Sequence, residues 1–210
     1  MTRITALFII ALLALLGGVA CDKDVIVDSP STGDALFPNA IGSIFQYEIL
    51  DSINEVYDTA EVRIVGQTVM GNGDVARLWR VEFADDYDTI EVVVKSDTVK
   101  MYLGLYSDPT VFILPVAVGD GWSLAPSGGD WHDTTSVVDS SHWAITVGNF
   151  KLAYRLDRSW EGPGYTEHNA IYYAPYVGIL YMDIEAMTVI EDEDPVDQRW
   201  LLLDYSLPAN

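Results

Sequence analysis

The sequence predicts an all-β fold, an antiparallel meander forming a curled sheet, half-barrel or flattened barrel, behind an N-terminal signal helix. Three observations predict it. From Ser43 onward the periodicity is two, not 3.6: Val75, Arg77, Trp79, Val81 and Phe83 alternate with Ala76, Leu78, Arg80 and Glu82. The breaks are short and carry turn chemistry, as in Gly71-Asn72-Gly73-Asp74, Asp85-Asp86-Tyr87-Asp88 and Ser96-Asp97. No segment beyond the leader sustains a helical apolar stripe. The best candidate, Ile184 to Ile190, is short and holds the β-branched Thr188, Val189 and Ile190.

Residues 1–20 read as a signal peptide. Arg3 and the amino terminus supply its positive end, and Ile4 to Leu16 is an uncharged apolar run of 13 residues. That is the length of a signal-peptide core and well short of the roughly 20 residues a helix needs to cross a bilayer. Gly17, Gly18, Val19 and Ala20 lead to Cys21, the single cysteine of the chain. Val19-Ala20-Cys21 resembles the lipobox of bacterial lipoproteins, which implies a diacylated Cys21 at the new amino terminus and a membrane partner reached through that lipid. Gly18 departs from the lipobox, where Leu is usual. Gly18-Val19-Ala20 also suits ordinary signal peptidase, which would leave Cys21 a free thiol, and an uncleaved anchor is a third reading. Asp22 resembles the inner-membrane retention signal of enteric lipoproteins; with Lys23 beside it, the choice of membrane stays open. The expected address is the cell envelope, on the periplasmic face or outer membrane.

Residues 21–39 are expected to form a polar tether around Ser29-Pro30-Ser31-Thr32-Gly33-Asp34, with Val25-Ile26-Val27 too short to assign as a strand from sequence. Residues 40–210 form a single β domain. Without the leader, ten basic residues face 32 acidic ones, a formal charge of −22. Such a surface repels nucleic acid; it suits a solvated, soluble shell or attraction of cations. With no cysteine pair, packing alone must hold the domain.

Strands are expected at Val56 to Gly66, Val75 to Phe83 and Thr89 to Lys95, then as a hairpin of Trp143–Val147 and Lys151–Trp160 around Gly148-Asn149. A Gly162-Pro163-Gly164 turn leads to Tyr165–Tyr173 and Ile179–Ile184. Arg199 to Tyr205 closes the chain, its Leu run implying burial on both faces or an edge docked under a neighbouring layer.

A weak repeat punctuates these strands. Pro38-x3-Gly42-x2-Phe45 recurs as Pro115-x3-Gly119-x2-Trp122, with a shortened echo in Pro175-x2-Gly178-x2-Tyr181. Pro ends a ladder, Gly permits a positive φ, and the aromatic packs inward at the start of the next strand. With Gly148-Asn149-Phe150 and Tyr173-Ala174-Pro175, these corners resemble those of a broad class of uncharacterised β-rich bacterial lipoproteins across most of residues 37–185. The resemblance implies a curled antiparallel sheet and no catalytic residue.

Chemistry is sparse. No G-x-S-x-G, H-E-x-x-H or Cys/His metal spacing occurs, and no cofactor is expected. His132, His142 and His168 are the candidates for a metal or acid–base cluster, His132 and His142 flanking a hairpin with Asp133 and Glu167 nearby in sequence; plain surface histidines are the competing reading. Asp85, Asp86 and Asp88, and Glu191 to Asp194, offer hard oxygen ligands for Ca²⁺ without EF-hand spacing, or simply solvated turns. Trp122, Trp131, Tyr165 and Tyr176 sit near loops, where a curved sheet would present them to a ligand. The function expected is a non-enzymatic, lipid-anchored binding or structural domain, with an envelope protein, a glycan or a lipid as partner. The alternative is a carrier of an apolar, lipid-like ligand in a concave sheet, which requires a contiguous apolar cavity lined from several strands. A hydrolase or a Ca²⁺ module ranks below both.

Overall fold

The computed structural model describes residues 24–25, 36–102, 109–124, 130–188 and 195–208. Cys21, the signal helix and the Glu191–Asp194 turn lie outside the described residues. The strands are β1 (Asp24–Val25), β2 (Ile44–Asp51), β3 (Val56–Val69), β4 (Val75–Glu82), β5 (Tyr87–Lys95), β6 (Thr98–Tyr102) and β7 (Thr110–Ile113), then β8 (Gly121–Leu124), β9 (His132–Ile145), β10 (Gly148–Gly162), β11 (Tyr165–Ala174), β12 (Gly178–Thr188) and β13 (Val196–Ser206). Of the best helical candidate, Ile184 to Ile190, the described part, Ile184 to Thr188, continues strand β12.

The sheet order is β7-β6-β5-β4-β3-β2-β13-β12-β11-β10-β9-β8, antiparallel throughout. The chain therefore makes two six-strand meanders, β2–β7 and β8–β13, joined where the first strand of one pairs with the last strand of the other. Strand β13 is thus central and not an edge, which is why its Leu run is half-buried or buried on both faces. Short β1 adds a parallel pairing of Asp24 and Val25 to Asn149 and Phe150 of β10.

Curling brings the two ends of this sheet together without closing a barrel. β7 and β8 share no ladder; instead the Trp122 indole N–H of β8 donates to the Val111 carbonyl of β7 at 3.0 Å. One aromatic side chain bridges the seam that a thirteenth hydrogen-bonded pairing would otherwise close.

The Pro…Gly corners have the conformation expected of them. Gly42, Gly119 and Gly178 have φ of 95°, 94° and 100°, the left-handed region that glycine enters without steric cost. The first two corners also bond alike. Gly42 N donates to Ile64 O and Ile64 N to Ser43 O; Gly119 N donates to Val137 O and Val137 N to Asp120 O. Each corner thereby clips the start of one meander onto its second strand, and the weak sequence repeat marks the two halves of the sheet.

The core fills one end of the curled sheet. Its centre is Phe37, 1% exposed, whose ring stacks on Trp79 at 5.6 Å, Tyr173 at 6.2 Å and Phe112 at 6.3 Å. Leu36 beside it is equally buried, and its carbonyl accepts from Tyr173 Oη and Tyr176 N, both at 2.7 Å. Asn39 Oδ1 accepts from the Trp79 indole at 2.8 Å. Leu36 and Phe37 thus belong to the packed domain, within the segment the sequence reads as tether. Polar neighbours hid two buried hydrophobes that plug the end of the sheet.

Candidate functional site

Alternation along each strand sends every second residue to the concave face. Tyr47 of β2, Val62 of β3, Trp79 and Val81 of β4, and Ile90 of β5 point there. So do Met101 of β6, Phe112 of β7, Ile171 of β11, Met182 of β12 and Trp200 of β13. They do not fill the space between them. A cavity of about 290 Å³ remains, walled by residues of ten strands. Trp79 and Phe112, which stack on Phe37, form part of its lining, so the Leu36–Phe37 plug seals the space from one side. Tyr47 adds no free polar group: its hydroxyl donates to Ile179 O at 3.0 Å, and burial holds its pKa far above the ordinary phenol value.

One stretch of the wall is polar. Arg158, 9% exposed, Glu167 and Asn169 line the cavity beside Ile171 and Ile184. Arg158 Nε and Nη2 donate to the two oxygens of Asp133 at 3.0 and 2.9 Å, a forked pair, and Nη1 donates to Glu167 Oε1 at 3.0 Å. Glu167 also accepts from Tyr165 Oη at 2.8 Å and Asn169 Nδ2 at 2.6 Å. The cluster comprises one cation and two carboxylates, so it carries one formal negative charge inside an apolar wall.

The four aromatics singled out in the sequence divide. Trp131 and Tyr165 come together around Trp160, with ring centroids 4.8 Å apart for Trp131–Trp160 and 5.2 Å for Trp160–Tyr165. Trp131 lies against the bare backbone of Gly162, where a Cβ would collide with its indole. This trio covers the polar cluster: the Arg158 guanidinium sits 5.9 Å from the Trp160 ring, and Tyr165 bonds Glu167. Trp122 bridges the β7–β8 seam, and Tyr176, at φ 67°, turns the β11–β12 corner beside Pro38. None of the four lines the cavity; the aromatics that do are Tyr47, Trp79, Phe112 and Trp200.

The histidines do not converge. His132 and His142, expected to flank a hairpin, lie in the single strand β9, ten residues and about 30 Å apart at the strand rise of about 3.3 Å per residue. All three are exposed. The actual turn of that hairpin is Thr146-Val147, two residues before the expected Gly148-Asn149. The Asp85–Asp88 turn is solvent-exposed, and Asp86 and Asp88 cap the neighbouring N–H groups of Tyr87 and Thr89. Among the described residues no three His, Cys, Asp or Glu side chains are grouped to hold a metal ion.

Arg158, Asp133, Glu167 and Asn169 are a cluster the sequence reading missed. The signal was present: Arg158 stands between Leu156 and Trp160, and Glu167 and Asn169 continue the inward series of Ile171 and Tyr173. Polar residues in register with a buried face are the mark of an interior polar site.

No protein-family model and no curated protein matches the chain. Two solved structures do in shape. One is a protein of Bacteroides fragilis, predicted to be exported and described as having a YmcC-like fold. It superposes with a TM-score of 0.50 at 12% identity over 81% of this chain and 98% of its own. The other is a predicted lipoprotein of Parabacteroides distasonis, with a TM-score of 0.50 at 9% identity over 85% of this chain and 100% of its own. At such identities the likeness is one of fold: this chain is built on the same curled antiparallel sheet as these two bacterial proteins, the architecture called YmcC-like in the first.

Proposed function

We propose that this is an exported, lipid-anchored protein of the cell envelope whose curled sheet holds a small apolar ligand on its concave side. The single observation that carries the binding half of this reading is the unfilled interior, about 290 Å³ walled by ten strands. Close-packed interiors leave few voids larger than a water molecule, so a concave apolar space of this size, partly open to solvent, is room for a ligand. A cavity of about 150 Å³ takes up benzene, so this one suits a ligand of about a dozen heavy atoms. The envelope half rests on the leader ending at Cys21, and the descriptions of the two structural neighbours as exported protein and lipoprotein support it. The role read here is binding.

Calorimetric titration of the purified protein with methyl heptyl ether, nine heavy atoms and no hydrogen-bond donor, tests the cavity. We expect saturable one-to-one binding that disappears in Met182→Trp, whose indole fills the space between β12 and its neighbours. No saturable heat, or equal binding by Met182→Trp, contradicts the reading.

A further inference from the structure

The polar stretch of the cavity wall says what the polar end of a ligand must be. Asn169 is 8% exposed and lines the cavity, and its Oδ1 is buried without a hydrogen-bond partner. The orientation of this amide is set by its neighbour. Nδ2 lies 2.6 Å from Glu167 Oε1, so exchanging N and O would put two acceptors face to face. The unpaired atom is therefore the oxygen, an acceptor awaiting a donor. A buried amide oxygen without a partner is costly to maintain, and native interiors rarely contain one without a functional reason.

No neighbouring group serves it. Three of the five N–H groups of Arg158 are engaged, two by Asp133 and one by Glu167, and none bonds Asn169 Oδ1. The Tyr165 hydroxyl donates to Glu167, and the Tyr47 hydroxyl to Ile179 O. Nor does the cluster invite an anion. Its cation is already shared by two carboxylates, and a third negative group entering the same apolar wall would meet repulsion in a medium of low polarity.

Resting on the ligand-holding reading above, we propose that the bound molecule is an apolar compound ending in a neutral hydrogen-bond donor, a hydroxyl or amide N–H, which donates to Asn169 Oδ1. The site discriminates against the corresponding carboxylate. The apolar body occupies the space among Val81, Ile171, Met182 and Trp200, and the donor end meets β11 at Asn169.

Three ligands of nearly equal size separate these properties in calorimetric titrations of the purified protein at pH 8: 1-octanol, its donor-free isostere methyl heptyl ether, and octanoate. Pairing the buried oxygen should make 1-octanol bind about tenfold more tightly than the ether, roughly 1.4 kcal/mol. Octanoate should bind more weakly than either. In Asn169→Leu the octanol-to-ether ratio should fall to about one while the ether still binds. Equal affinity of octanol and ether in the unmodified protein, a comparison that needs no variant, overturns the proposal, as does tightest binding of octanoate. Ether that binds one-to-one without a preference for octanol sinks the donor assignment alone; failure of all three ligands to bind sinks the ligand-holding reading and this inference with it.

Discussion

Arg158→Met should be among the most destabilising single substitutions in the protein, lowering the free energy of unfolding by about 3–5 kcal/mol. The reason is what it leaves behind. Asp133 and Glu167, with side chains 6% and 16% exposed, lose the guanidinium that both of them bond. Two carboxylates then share an apolar wall without a cation. Methionine fills much the same volume, so a cavity contributes little to the loss. Replacing all three members, as Arg158→Met with Asp133→Leu and Glu167→Gln, removes the stranded charges and should recover most of it, because a buried ion network is worth less than the penalty for breaking it. Urea unfolding of the two variants measures both effects. A loss under 1 kcal/mol for the single substitution would mean that the cluster is hydrated and not part of the interior.

Phe37→Ala should cost about as much, 3–5 kcal/mol by the usual penalty for emptying a buried aromatic site. Phe37 is in ring contact with Trp79, Tyr173 and Phe112, residues of β4, β11 and β7. It therefore ties both six-strand meanders together at the plugged end. Removing the ring also joins the space it leaves to the cavity below, since Trp79 and Phe112 line both. Phe37→Leu keeps an apolar plug and should cost distinctly less. If urea unfolding found Phe37→Ala nearly neutral, the segment from Leu36 would be an appendage to the sheet and the domain would begin at residue 40.

How much of this was legible beforehand depends on which interactions are local. Strand periodicity and turn chemistry are local, and they foretold the meander, with β4 and β11 within a residue or two of their observed bounds. The glycine corners were legible for the same reason: a left-handed φ at Gly42, Gly119 and Gly178 is a property of a few consecutive residues. Strand order was not. The pairing of β2 with β13 joins residues some 150 positions apart, and nothing in the Leu run of β13 distinguishes a central strand from a covered edge. Phe37 was obscured by its setting, two apolar residues in a polar stretch. The site fell between the two cases. Composition drew notice to aromatics near turns, of which Trp131 and Tyr165 do gather around the polar cluster. The cavity itself, however, is a deficit of side-chain volume summed over ten strands, and no window of sequence reports it. Arg158, Glu167 and Asn169 were within reach, as polar residues at inward positions of β10 and β11.

The two six-strand halves also explain why the interior stays hollow. A twelve-stranded sheet that closed fully would enclose more space than these side chains fill, since diameter grows with strand number. Here the plug at Phe37 fills one end, the Trp131–Trp160–Tyr165 trio covers the polar cluster, and Trp122 fastens the seam. What is left is a concave space of small-molecule size, with the unpaired Asn169 Oδ1 in its wall.

A crystal structure determined under xenon pressure tests that hollow interior most directly, because xenon enters dry apolar cavities and is seen without ambiguity. Xenon should appear between Ile171, Met182 and Val81, with the surrounding side chains where they stand now. An interior closed over by Met182 and Trp200, with no xenon bound, would contradict a ligand-holding role.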